Sequence, residues 1–180
     1  MTAMTIYGVT WPQDGTAGVA RKPVGWWPPI FSERELLAEW STPTFLVEGA
    51  MADLQPNDAG VKMCSTKMRN IIEEQRAKSD RIEWLPVHIE CGGVVHDYAI
   101  PHLLDEIDVV DRERSVLNPS TGGVVKAHLR AEAIDDHRVF TYSSATGVII
   151  LFTEEVYGAL RSCSGCSFLK IKASFPEARA

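Results

Sequence analysis

Residues 81–116 constrain the fold more than any other stretch of the chain. They begin with an apolar segment, 82–89, whose side chains alternate between two faces: Ile82, Trp84 and His88 on one, Leu85, Val87 and Ile89 on the other. A period of two is the signature of a strand. Glu90-Cys91-Gly92-Gly93 supplies a four-residue connection, and residues 94–100 return as the second strand of a hairpin. Pro86 cannot donate to a sheet ladder, which predicts an edge position or a bulge there. After Pro101, the spacing of Leu103, Leu104, Ile107 and Val110 predicts an amphipathic helix. Its opposite side carries Asp105, Asp108, Asp111 and, further on, Glu113.

A second pattern occurs twice. Residues 61–64 form a short apolar run, Ser65 can cap a helix, and Met68, Ile71 and Ile72 mark one face of that helix to about residue 78. The strand 82–89 follows. Near the C-terminus the apolar run 148–152 precedes Thr153, a second candidate cap. Glu154 and Glu155 then stand in the first turn, where acids complement the helix dipole. Val156, Tyr157 and Leu160 form the inner face of a helix ending near residue 162, and 168–173 alternates as a strand. The likeness lies in pattern and hardly at all in sequence.

Elsewhere residues 5–9 and 44–48 read as short strands, and 53–60 and 118–123 as loops rich in Gly, Pro, Asn and Asp. Residues 124–134 alternate cleanly, with Val125, Ala127, Leu129, Ala131 and Ala133 on one face, and predict a half-buried strand. Residues 138–142 suggest another short strand. Ser32 and Glu35 fit a capping box for a short helix over 33–40. The expected class is α+β: a mixed, mainly antiparallel sheet with two or three packed helices. The expected organisation is an extension rich in Gly, Pro and Trp over 1–44, followed by one domain over 45–180.

Within that extension Trp26-Trp27-Pro28-Pro29 is the most unusual local feature. Adjacent tryptophans before two prolines can present apolar surface to a partner in an extended, low-entropy conformation. They can equally close over the core as an aromatic lid. The formal charge of −6 argues against nucleic acid as a partner. No apolar run approaches the roughly 20 residues of a membrane-spanning helix, and the N-terminus lacks the pattern of a secretory signal. The expected compartment is the cytoplasm, where Cys64, Cys91, Cys163 and Cys166 would be free thiols.

Several segments, in order, resemble the immunity protein 11 family of bacterial polymorphic-toxin systems. They are VKMCSTKMRNIIEE, EWLPVHI, HDYAI, LLDEIDVVDRERSV and VIILFTEEVYGALRSCSGCSFLKI, together spanning about residues 45–172. Leu85-Pro86-Val87 and Asp108-Val109-Val110-Asp111 with Arg112-Glu113-Arg114-Ser115-Val116 are the most telling. The chain departs from the family at Asp105, where an Asn is common, and at Ser164-Gly165-Cys166. The resemblance implies a protein without catalysis or cofactor that binds a cognate toxin domain and blocks it. If that toxin is a nuclease, the acids at 105, 106, 108, 111 and 113 could stand where phosphates would. A plain solvated charge run is the other reading of these acids.

The rival chemistry is a small redox or zinc-binding protein built on Cys163 and Cys166. A C-x-x-C pair opening a helix has a lowered thiol pKa, but this pair follows its helix. Zinc needs four ligands, and His88, Cys91 and His96 have no common zinc spacing relative to the pair. No phosphate loop, nucleophile elbow or metalloprotease motif is present.

Overall fold

The computed structural model describes residues 4–12, 14–28, 35–142 and 149–175. Its elements run β1 (Met4–Thr10), β2 (Thr44–Val47), β3 (Leu54–Gln55), β4 (Met63–Ser65), α1 (Thr66–Gln75), β5 (Ile82–Cys91), β6 (Val94–Leu103), β7 (Val116–Leu117), β8 (Val124–Lys126), β9 (Leu129–Arg130), β10 (Val139–Phe140), β11 (Leu151–Phe152), α2 (Glu154–Leu160) and β12 (Ser167–Ser174). The chain is α+β and mainly sheet. Instead of one sheet it builds two of five strands each, ordered β2-β5-β6-β4-β3 and β10-β11-β1-β12-β9, plus a β7-β8 ribbon. Most pairings are antiparallel, as expected; β2–β5 and β9–β12 are parallel.

The two sheets share one plan. In each, a short strand (β2 or β9) lies parallel to a long one (β5 or β12). A central antiparallel strand (β6 or β1) separates that long strand from β4 or β11. A short antiparallel strand (β3 or β10) closes the far edge. The first sheet follows the chain as β2, β3, β4, α1, β5, β6. The second follows as β9, β10, β11, α2, β12 and takes its last strand, β1, from the N-terminus. The segment 1–44, expected as an extension, therefore supplies the middle strand of the second sheet.

The match extends to single residues. Ser65 caps α1, its hydroxyl accepting the N–H of Met68 at 3.2 Å. Thr153 occupies the same place before α2, without a side-chain capping bond. The buried residues of α1, Met68 and Ile72, lie three and seven positions past the cap, as Val156 and Leu160 do in α2. Next to the caps, Cys64 faces Leu54 and Ala99, while Phe152 faces Val139 and Tyr7. Cys64, Phe152 and the four helix residues meet in one apolar core to which both halves contribute. The repeated strand–helix–strand pattern of the sequence is thus two similar half-structures around a shared centre.

The outer face of each sheet is covered by irregular chain. Ala20, Trp26, Leu36 and Trp40 pack on the first sheet over Phe45, Leu85, Val87 and Ile89. Ile107, Val109 and Val110 pack on the second over Ile6, Phe140 and Leu151. Each half also grips the edge of the other. The N–H of Leu54 donates to Ser164 O at 3.1 Å beyond α2, and the N–H of Val139 donates to the Asp80 carboxylate at 3.0 Å beyond α1. Gly165 makes the first contact possible. Its φ is +71°, and a Cβ there would lie 2.6 Å from Leu54 O, so a side chain is excluded by conformation and by space.

Other sequence expectations change as well. The helix expected after Pro101 is absent: β6 continues through Pro101 to Leu103, and the following chain is extended. Ile107 N–H is taken by Thr141 O at 3.1 Å and Asp111 N–H by His128 O at 2.9 Å, while Val109 N–H bonds locally to Ile107 O at 2.8 Å. Burial against a sheet thus accounts for the apolar spacing. The single strand expected over 124–134 is three pieces: β8, β9 and a 3₁₀ turn, Ala131–Ala133. The connection between β5 and β6 is shorter than four residues. Cys91 pairs with Val94 around Gly92-Gly93, whose φ angles of +59° and +81° suit a two-residue turn that glycine enters without strain.

Pro86 lies where the sequence suggested, at an uncovered edge. β2 pairs with β5 only from His88 to Cys91. Before that span, the missing N–H of Pro86 costs no bond to β2, and its carbonyl accepts the Trp40 indole N–H at 2.7 Å. A 3₁₀ turn, Leu37–Glu39, stands within the helix expected over 33–40; the expected cap Ser32 lies outside the described residues.

Candidate functional site

Trp26 and Trp27 have different fates. Trp26 is half-buried and meets Trp40 edge-on, with ring centroids 6.1 Å apart and planes at 86°, and Phe45 at 5.3 Å and 75°. It is part of the lid over the first sheet. Trp27 is 71% exposed, and the Lys22 ammonium lies 3.4 Å from its ring centroid. The same ammonium donates to Trp26 O at 3.2 Å, which fixes the cation over the ring. Of the two, Trp27 presents its surface outward.

The acids expected to share a helix face lie instead along the extended cover of the second sheet. Asp105 pairs with Arg81 at 3.0 Å, and Asp108 with Arg130 at 2.8 Å while remaining 88% exposed. Asp111 has a local structural role. Its carboxylate accepts the N–H groups of Glu113 and Arg114, each at 3.1 Å, and closes the turn. Glu113 is exposed. The exposed acids of the run are therefore Glu106, Asp108 and Glu113. Trp27 follows the cover of the other sheet, so the structure does not join the two candidate surfaces into one.

Three thiols gather in the shared core and its edge. Cys64 and Cys163 are buried and Cys166 packs against them. Burial pushes all three thiols above the ordinary range, Cys166 to about 12. That is opposite to the lowered pKa of a reactive thiol. Among the described residues no group of His, Cys, Asp and Glu has the arrangement of a metal site. His88 pairs instead with Asp97 across β5 and β6 at 3.1 Å.

Two half-buried carboxylates that the sequence did not single out hold elements in place. Burial works to raise Asp53, yet it is held below the usual range by bonds from the Ser164 N–H at 2.8 Å, the Ser65 hydroxyl at 2.7 Å, the Ser164 hydroxyl at 3.1 Å and Lys67 at 3.3 Å. Glu83 likewise stays low against its burial. It accepts the N–H groups of Leu36 at 2.8 Å and Leu37 at 2.7 Å and bonds His102 at 3.0 Å. Spacing carries no trace of these partners, most of which lie far away along the chain.

Two clefts among the described residues are lined by Arg69 of α1. An open cleft of about 380 Å³ runs past Leu37, Glu83, Trp84 and Leu104 on one side of it. A more enclosed cleft of about 270 Å³ lies on the other, between the first turn of α1 and the β5–β6 face. The Arg69 guanidinium stands 5.5 Å from the centroid of the Trp84 ring. No helix of the described residues is long and apolar enough to cross a membrane. No protein-family model matches the chain, and no curated protein matches it.

Proposed function

We propose that the protein is a cytoplasmic immunity protein that binds and neutralises a cognate toxin domain without catalysing a reaction. The observation that carries this reading is the way the family-like run 103–116 is laid out. Ile107, Val109 and Val110 anchor it on the second sheet, while Asp108 and Glu113 point carboxylates outward. A backbone pinned on its apolar side holds those charges without a further ordering cost on binding. The net charge of −6 has the same sign as this surface and would speed encounter with a basic toxin. Trp27 offers a separate exposed aromatic contact on the other half.

The test is charge reversal of Asp108 and Glu113 together. The double variant should bind the toxin domain more weakly and mainly through slower association, with melting temperature unchanged. Unaltered association would remove these acids from the interface. Asp111 is unsuitable for this test, because its carboxylate also closes the 111–114 turn.

A further inference from the structure

The two halves differ at one place in a way that leaves room for a ring. In the second half Tyr7 and Tyr157 stack, with centroids 3.7 Å apart and planes 3° from parallel, and Phe168 meets Tyr157 edge-on at 5.0 Å and 80°. The matching residues of the first half are Ala99, Arg69 and Trp84. Ala99 faces Cys64 as Tyr7 faces Phe152, and Trp84 faces Pro101 as Phe168 faces Val9. Arg69 follows its cap by four residues, as Tyr157 does. Trp84 keeps an aromatic ring in the Phe168 position and Arg69 stands over it. Ala99 leaves empty the volume that the Tyr7 ring fills. The cleft of about 270 Å³ lies there, bounded by Cys64, Arg69, Pro86, His88, Asp97 and Ala99.

We propose that this cleft is a socket for one aromatic side chain of the partner protein, its ring lying on Ala99 and Pro86 beside the Arg69 guanidinium. The volume falls just below the roughly 300–1,000 Å³ of pockets that hold small-molecule ligands, and suits a single side chain. Arg69 makes no ion pair with a described residue; its guanidinium already stands 5.5 Å from the Trp84 ring, and its other side can meet the negative face of a second ring. At the rim Asp97 is 84% exposed and can accept a bond from a tyrosine hydroxyl. An aromatic anchor seated in a pocket is a common form of dominant interface contact. The socket rests on the proposed function only in taking the partner to be a protein.

The probe is p-cresol, the tyrosine side chain as a free molecule, titrated into the whole protein and followed by amide NMR shifts. Saturable shifts are expected at Thr66, Arg69 and Ala99, with a dissociation constant in the millimolar range. Ala99→Phe places a ring of its own in the cleft and should abolish them. Arg69→Ala, at an exposed position that keeps the test readable if Ala99→Phe does not fold, should weaken binding about threefold. Absence of shifts at those amides, or shifts of full size in Arg69→Ala, overturns the socket. Binding of p-cresol by a protein that fails to bind any toxin domain upholds the socket and removes the toxin reading alone.

Discussion

The Asp80 carboxylate accepts the main-chain N–H of Val139 at 3.0 Å across 59 residues of chain. It also accepts the N–H of Ala77 at 2.8 Å and of Arg138 at 3.2 Å, and bonds His137 Nδ1 at 3.0 Å, while only 2% exposed. One buried side chain thus ties the end of α1 to the edge of the other sheet. Asp80→Ala would leave these donors without an acceptor, each such loss costing about 1–3 kcal/mol. Urea denaturation should show a loss of at least about 3 kcal/mol. A loss under about 1 kcal/mol would mean that water replaces the carboxylate and that the tie is weak.

Asp53 makes the corresponding tie beyond α2, and its low pKa fixes the sign of a pH effect. A carboxyl depressed in the folded state stabilises above its unfolded pKa, and that contribution fades as pH falls through the folded value. Asp53→Asn should therefore be less stable than the natural chain at pH 7, by about 1–2 kcal/mol. The difference should shrink below about pH 4. A gap that stayed constant to about pH 2 would contradict the account of Asp53 as a charged tie.

The position of β1 predicts a circular permutation. Met4 pairs with Ala173, so the end of β12 lies beside the start of β1. Linking the end of β12 to the start of β1 and opening the chain at the exposed Gly15 would let the second half run in the same order as the first. This permutant should unfold in one cooperative transition at nearly the natural melting temperature. Loss of cooperative unfolding would show that β1 must be made first, and would weaken the equivalence of the halves.

Local chemistry made some of this legible and left the rest hidden. The Ser65 cap, the strand at β12 and the place of the Gly92-Gly93 turn are decided by neighbouring residues and were readable, though the turn has two residues where four were expected. The extended course of 104–111 was not, because its apolar spacing fits both a helix and a strip laid on a sheet. The deciding partners, Thr141 and His128, lie well beyond it in sequence. The strand at 5–9 was readable, but its place in the middle of the second sheet was not, because its neighbours β11 and β12 lie at the other end of the chain. Of Trp26 and Trp27, the first packs in the lid over the first sheet and the second is exposed. The cleft at Arg69 could not be read at all, since it is a difference between Ala99 and Tyr7 that only the matched halves reveal.

The thiols give a direct check on the rival redox or zinc reading. With Cys64, Cys163 and Cys166 raised by burial, those three should react slowly with a disulfide reagent at pH 8 in the folded protein. Unfolding should release them at full speed. Rapid reaction of Cys163 or Cys166 in the native state, or one tightly bound zinc per chain, would favour the rival.

The most direct test of the central claim is protection. The proposal predicts, in a gene beside this one, a large secreted protein with a toxic C-terminal domain, and that domain should be expressed in cells with and without this chain. Growth should be restored only when the chain is present, and the two proteins should copurify as a stable complex. Unrelieved killing, with no complex formed at concentrations where the chain is folded, would contradict the immunity function.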